Sequence, residues 1–405
     1  AARRGRMAGW GNVPAADCLI AAADRTEAVR RAVDAMRSGG GLVPRGLGRA
    51  YGDSAINADG LVLQQRDRRR FLAFDEDAGR LTVEAGASLE DVIEALLPRG
   101  WFPGTVPGTK FVTVGGAIAA DVHGKNHHVD GSFGGFVESV DLLTADGTVR
   151  RCSREQEPEL FAATIGGMGL TGVILEATIR LRRVETAYYR QRTERARNLQ
   201  DMLDRFDAGD EDYRYSVAWL DGIARGERLG RGILMRANDA ARDELPAALR
   251  GAPLDPPRRR VRSLPVHLPP WVLNPLSMRA MNTAYHALHR PGESFVDFDR
   301  YFFPLDAVRH WNRGYGRRGF VQYQALLPRE AERDGLTAIL SAIAESGRAS
   351  FLSVLKRSGP PGEGMLSFLF PGATLALDLP DTGAPLRRLV ARLDAMLLDH
   401  GGRLY

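Results

Sequence analysis

The residue types most able to do chemistry are concentrated in one stretch, Trp101 to His128, which reads WFPGTVPGTKFVTVGGAIAADVHGKNHH. Its end gathers His123, Lys125, Asn126, His127 and His128 around Gly124 in a polar knot. Just upstream, Thr113-Val114-Gly115-Gly116 opens Ala117-Ile118-Ala119-Ala120, a helix seed with almost no side-chain bulk. A helix start behind glycines offers bare N–H groups to a phosphate or to the edge of an electron-rich ring. Bulk-free backbone beside polar side chains suits a large, flat, anionic cofactor. A metal reading is weaker. His123 and His127 have His-x-x-x-His spacing, but Gly124 lies between them and the Glu of the metalloprotease motif is missing, so no metal is expected.

The elements around this stretch must hold it in place. Pro103-Gly104 and Pro107-Gly108 read as tight turns, because Pro presets φ and Gly accepts positive φ. The small-residue helix is expected to run to about Gly124. Glycine-rich stretches alone are usually turns and nothing more. A second one, Arg45-Gly46-Leu47-Gly48-Arg49-Ala50-Tyr51-Gly52-Asp53-Ser54, follows the short strand Leu42-Val43-Pro44. It does not have the dinucleotide-fold spacing, since it reads Gly-x-Gly-x-x-x-Gly with no clear helix behind it. Two such loops in one N-terminal region carry more weight than either alone.

The chain has 405 residues, is 44% hydrophobic and 26% charged, and is long enough for two domains of an ordinary globular protein. No window approaches a membrane span, and the opening AARRGRMAGWG lacks the apolar core of a signal peptide. Cys18 and Cys152 are too few for a disulfide framework. The net charge of +5 comes without an aromatic-plus-basic motif, so nucleic acid is not an expected partner.

In order, a helix is expected after Asp24, capped by it with Glu27 completing a capping box, and closed by Ser38 and Gly39 to Gly41. Strands follow at Leu61 to Leu63 and Arg80 to Ala85, with a helix from about Ser88 to Leu97. Asp146-Gly147 marks a hairpin inside Val140 to Arg150. A short helix from Pro158 and a strand from Gly172 to Leu181 complete this half.

RGLGRAYGD, PGTKFVTVGGAIAADVHGKNHH, DLLTADG and ELFAATIGGMGLTGVI, in that order, resemble the FAD domain of the vanillyl-alcohol oxidase superfamily. HGKNHH is the most specific piece. With SVAWLD, GFVQYQ, SFLSVLK and GGRLY it extends the likeness over nearly the whole chain, to the branch of that superfamily that oxidises polyprenyl-phosphoryl ribose. The resemblance implies an α+β fold of two domains: an FAD-binding domain over 1–184, to which residues 400–405 return, and an antiparallel-sheet substrate domain covered by helices over 185–399. It implies that Pro44 to Ser54 wrap the FAD pyrophosphate, that Gly108, Thr113, Val114, Gly115, Gly116, Ala120, Asp121, Val122 and His123 line the flavin, and that Ile174 and Tyr405 pack at it. Covalent members carry a flavin-bonding His in the first loop. Here Arg49 or its neighbours stand there, so noncovalent FAD is implied.

By the same resemblance, His123, Lys125, Gln324 and Lys356 carry the chemistry. Trp219, Phe302, Gln322, Thr374 and Ala376 join Lys125, Gln324 and Lys356 around the sugar phosphate. Thr374 and Ala376 stand where the resembled enzymes commonly have Asn and Cys, and Phe302 where they have Tyr. The implied reaction is FAD-dependent oxidation of the 2′-hydroxyl of decaprenylphosphoryl-β-D-ribose to a 2′-keto sugar, the first half of an epimerisation. A separate NAD(P)H-dependent reductase would complete it. The alternative is a related sugar-alcohol or aldonolactone oxidase. Membrane association on the periplasmic side is implied too, as is a segment beyond Tyr405 whose Lys reaches the flavin.

The second half reads from the residues as strands at Tyr213 to Leu220, Gly230 to Arg236, Arg300 to Phe303, Val321 to Leu327, Ser350 to Lys356, Met365 to Phe370 and Thr374 to Leu379, with helices at Glu330 to Glu345 and Ala384 to Leu398. Gln322 and Gln324 flank Tyr323 and share the face opposite it. The stretch 253–290 is expected to be a loop, basic at Arg258 to Arg262 and apolar and proline-broken at Leu268 to Leu273, suited to an anionic membrane or a polyprenyl chain.

Overall fold

A computed structural model describes residues 2–37, 39–269, 271–348 and 352–405. The expected roles of Ser38 and Pro270, and the start of the strand expected from Ser350, lie outside those residues. Three main sheets organise the chain. The first has four strands, an antiparallel hairpin of Arg3–Ala8 and Ala15–Ala22 continued in parallel by Leu61–Gln64 and Leu42–Arg45. The second is antiparallel, ordered Phe71–Asp75, Arg80–Glu84, Val173–Arg183, Val137–Leu143 and Val149–Ser153, with Trp101–Pro103 also paired to Val173–Arg183. The third has eight antiparallel strands, ordered Gly292–Asp297, Tyr188–Ala196, Gly232–Asp239, Tyr215–Leu220, Ser353–Ser358, Gly372–Pro380, Phe320–Pro328 and Arg403–Leu404.

Alternation along the third sheet separates two environments. Ala218, Leu220, Tyr323, Ala325, Leu355, Leu375 and Leu377 are buried under the helices Glu332–Ser346 and Ala384–Asp399, whose Leu336, Ile339, Leu340 and Leu393 complete that core. The intervening residues face the other way, toward the first half of the chain. A second core runs without a break from Val83 and Ile118 through Ile174 to Tyr189, Tyr215 and Phe302, so the halves share apolar contacts. Paired charges fasten the seam: Arg182 holds Asp239 through contacts of 2.9 and 2.8 Å, and Arg214 holds Asp130 through two of 2.8 Å.

Several elements differ from expectation. The first helix, Thr26–Met36, has Arg25 at its N-cap and no side-chain cap, so Asp24 and Glu27 form no capping box. The box appears instead at Ser88, where the hydroxyl accepts from Asp91 N–H and the Asp91 carboxylate accepts from Ser88 N–H, an arrangement worth about 1 kcal/mol. The small-residue helix is only Val114–Ala119, because Asp121 turns at a φ of 39° well before Gly124. Phe298–Phe302 is a helix capped by the Asp297 carboxylate, not a strand. Residues 365–370 form no strand. Within the expected loop lies the helix Pro275–Leu288, started by Asn274, which accepts from the N–H groups of Leu276 and Ser277.

Candidate active site

The loop after Leu42–Arg45 is shaped by its own arginine. Arg45 donates to the carbonyls of Ala55 (3.0 Å) and Ala8 (2.8 Å), and Gly48 passes beneath its guanidinium at a φ of 68°. Trp10 and Gly11 N–H groups take the Ala50 and Tyr51 carbonyls at 2.7 and 3.0 Å. The Arg49 guanidinium lies 4.0 Å from the Trp10 ring centroid. Among the described residues, no backbone N–H from Gly46 to Ser54 donates to a protein acceptor. Carbonyls held outward and N–H groups left over make a cradle for an anion.

Gly46 approaches Thr113 so closely that a Cβ on it would sit 2.3 Å from Thr113 Oγ1. The two glycine-rich segments therefore meet. The bare N–H groups expected at the second one are not bare, however. Val114 and Gly115 donate to the Ala87 and Ala85 carbonyls at 2.8 Å each, and Gly116 to Thr113 Oγ1 at 3.1 Å. The open donors belong to the first loop. Nothing approaches a Cβ built on Gly108 within 4 Å.

Asp121 accepts from Ser132 Oγ (2.8 Å), Ser367 Oγ (2.5 Å) and Gly134 N–H (2.8 Å), so its carboxylate is a structural clamp rather than an open contact. Ala120 offers its carbonyl to the Tyr405 hydroxyl at 2.9 Å. The terminal strand Arg403–Leu404 pairs with Phe320–Pro328 in the third sheet, while the Tyr405 ring reaches His123, 5.2 Å between centroids. Val122 and Ile174 are buried in the shared core.

On the third sheet, register places Trp219, Val354, Ala376 and Gln324 in one row across four strands, all facing the first half. Lys356 and Thr374 pair in the next row. The Gln324 amide nitrogen donates to Thr374 Oγ1 (3.1 Å) and to His123 Nε2 (2.9 Å). Burial, then the charge of Lys356, pushes the His123 pKa well down, so the ring is neutral and carries its proton on Nδ1. Lys125 donates to the Tyr301 carbonyl and stands 4.2 Å from the centroid of that ring. Burial and then Lys356 lower it to about 7, and burial lowers Lys356 to about 8. Lys356 has no hydrogen-bond acceptor or carboxylate partner among the described residues.

Three expected pocket residues are placed less directly. Phe302 is buried in an aromatic cluster, stacked on Phe102 at 5.7 Å and edge-on to Tyr189 at 4.9 Å, and meets the site only as a wall 5.8 Å from Lys125 Nζ. The Gln322 amide donates to Asp378 Oδ1 at 3.0 Å, which leaves less of it for a ligand. Trp219 packs against Tyr285 of the Pro275–Leu288 helix, 4.7 Å between centroids. Two residues absent from the expected set emerge. Asp378, fully buried and raised to about 7 by burial, shares the face of Thr374 and Ala376, and the alternation 374, 376, 378 already carried that signal. His127 is buried beside Lys356.

The FAD binding domain family matches residues 17–153. Decaprenylphosphoryl-β-D-ribose oxidase of Mycolicibacterium smegmatis is 38% identical over 99% of this chain and 88% of its own length. The chain belongs to the decaprenylphosphoryl-β-D-ribose oxidase family. An uncharacterized protein of Streptomyces coelicolor is 36% identical over 78% of this chain and 87% of its own. L-gulonolactone oxidase of Bos taurus is 31% identical over 37% of this chain and 33% of its own. For a member of this family the fold is α+β with an FAD-binding domain, and the cofactor is FAD. The cradle from Gly46 to Ser54 fits that cofactor, because its unpaired N–H groups match the needs of a pyrophosphate.

Proposed function

We propose that this chain is an FAD-dependent oxidoreductase acting on the 2′-hydroxyl of decaprenylphosphoryl-β-D-ribose and yielding the 2′-keto sugar. The observation that carries the reading is a pair of half-buried lysines, Lys125 and Lys356, mutually repelling and without a carboxylate between them, beside the flavin-loop residue His123. Such a pair is relieved either by losing a proton, the direction in which both pKa values are pushed, or by an anion that joins the two ammonium groups. A lipid phosphate supplies that anion at the position that lets its ribose reach His123 and Gln324.

FAD, when bound, would supply the acceptor for the hydride leaving the sugar carbon, while the proton of the hydroxyl group would leave to solvent. The residues of this chain position and exclude water. Gly46 to Ser54 hold the pyrophosphate without a covalent bond, since no His stands in that loop. His123, neutral and with a proton on Nδ1, donates to a sugar oxygen and does not remove a proton. Gln324 fixes that tautomer through its own N–H. Ala376, the smallest side chain of its row, leaves room for the sugar.

The product needs a second, NAD(P)H-dependent reductase to become the epimeric lipid. Membrane contact belongs to the same reading. Residues 256–292 contain six arginines and no acidic residue. None of the six forms an ion pair among the described residues. Trp271, Leu276 and Leu288 are 73%, 76% and 78% exposed. A basic and apolar surface of this kind suits an anionic bilayer. No helix among the described residues is long and apolar enough to cross one.

The test is the product. Holoenzyme, decaprenylphosphoryl-β-D-ribose and an electron-accepting dye should yield a keto lipid that borodeuteride traps as a ribose and arabinose pair labelled at C2′. Label at another carbon, or none, removes the proposal.

A further inference from the structure

We propose that His127 binds the substrate's phosphate, completing with Lys125 and Lys356 a three-donor seat in which its Nε2–H meets a non-bridging oxygen. This rests on the phosphorylated-lipid reading above and extends it to a residue that reading does not use.

The position of the ring is fixed from both sides. Its backbone follows Asn126, whose side chain accepts from Thr105 Oγ1 (2.9 Å) and donates to the Gly104 carbonyl (2.9 Å) and Asp130 (2.7 Å). Gly359, just past the strand that carries Lys356, donates its N–H to His127 Nδ1 at 3.0 Å. A backbone amide only donates, so Nδ1 holds the lone pair and Nε2 holds the proton. Burial, then Lys356, lowers the ring to about 4, so it stays neutral. Nε2–H is buried and has no acceptor among the described residues, and the same is true of Nδ1–H on His123, whose ring is 6.5 Å away and edge-on.

Buried donors are seldom left without a partner. Here two imidazole N–H groups accompany two ammonium groups, and no carboxylate contributes to the electrostatics of any of the four. Lys356 is the shared neighbour of the other three. Among the described residues His127 Nε2–H and Lys356 have no acceptor and Lys125 has only the Tyr301 carbonyl, so together they call for an anion with several oxygens, with His123 Nδ1–H left for the sugar. Phosphate has that chemistry, whether free or esterified to a lipid.

The experiment uses the FAD-loaded enzyme with two substitutions. His127→Asn keeps an acceptor for Gly359 N–H but loses the inner donor. His127→Gln returns an N–H near the place of Nε2. Calorimetry with inorganic phosphate should give a Kd raised about tenfold by His127→Asn and largely restored by His127→Gln, with flavin content and Tm unchanged. KM for the phosphorylated lipid should rise in step while kcat changes less. Phosphate affinity equal in wild type and His127→Asn, equal loss in both variants, or no phosphate binding by the wild type overturns the seat. Phosphate binding lost in His127→Asn in an enzyme that does not oxidise the ribosyl lipid would uphold the seat and remove the functional reading. Lipid oxidised equally by wild type and His127→Asn would do the reverse.

Discussion

The Gln324 amide nitrogen stands 2.9 Å from His123 Nε2, joining a strand of the third sheet to the turn after the helix Val114–Ala119 across 201 positions of sequence. That bond sets which nitrogen of His123 keeps the proton, and so, in the proposed reaction, what His123 would offer a sugar. Gln324→Leu removes the donor while keeping much of the bulk. It should lower kcat/KM about twofold to tenfold, the scale of a neutral hydrogen bond worth about 0.5–1.5 kcal/mol, with flavin content unchanged. Steady-state kinetics on flavin-normalised protein check this, and wild-type kinetics in the variant would mean that His123 is set by something else.

The two lysines give a pH signature. Their folded pKa values, about 7 for Lys125 and about 8 for Lys356, lie below the ordinary 10.5. As pH rises through 7 to 8 the free enzyme loses the charges that attract phosphate, so kcat/KM for the phosphorylated lipid should fall there. A phosphate-free sugar should show no such fall. Stability moves the opposite way: from about pH 7 to about 10 the unfolded chain binds more protons, so the contribution of these groups to stability rises with pH. Lys356→Ala should flatten the upper part of the kinetic profile and lower kcat/KM for the lipid at pH 7 about tenfold to a hundredfold.

If Gly46 to Ser54 hold the pyrophosphate as proposed, flavin retention should depend on the Gly46 and Thr113 contact. Gly46→Val would drive its side chain into Thr113, where even a Cβ lies 2.3 Å from Oγ1, and should leave most of the protein without FAD. Acid precipitation of the wild type should release all flavin colour into the supernatant. Colour kept in the pellet would mean a covalent bond.

At the surface, Arg258, Arg260 and Arg262 replaced together by Ser should weaken binding to anionic vesicles, and added salt should weaken the wild type in the same way. Arg259 is left in place because it donates to the Phe303 carbonyl. Vesicle cosedimentation that is unchanged by both would return 256–292 to an ordinary surface.

Much of this site is written in local sequence. The loop Gly46 to Ser54, the Thr113 cap and the shared face of Gln322 and Gln324 follow from glycine placement, a hydroxyl before a helix, and a period of two. Other features depend on distant partners. The helix Pro275–Leu288 is hidden by flanking prolines and arginines, yet Asn274 and Ser277 cap it and Met278 anchors it in the core. Phe298–Phe302 has the aromatic content of a strand, and only the Asp297 cap and the packing of Phe302 make it helical. The bare N–H groups went to the first glycine loop because Ala85 and Ala87, far upstream, claim those of the second. The protonation of His127 depends on Gly359, which no local pattern reveals.

The most direct test of the whole account is anaerobic. Holoenzyme mixed with decaprenylphosphoryl-β-D-ribose in the absence of oxygen and dye should lose the visible absorbance of oxidised flavin in a single turnover, one lipid oxidised per flavin, while L-gulonolactone leaves the spectrum unchanged. Flavin that stays oxidised with the lipid and bleaches with the lactone would contradict it.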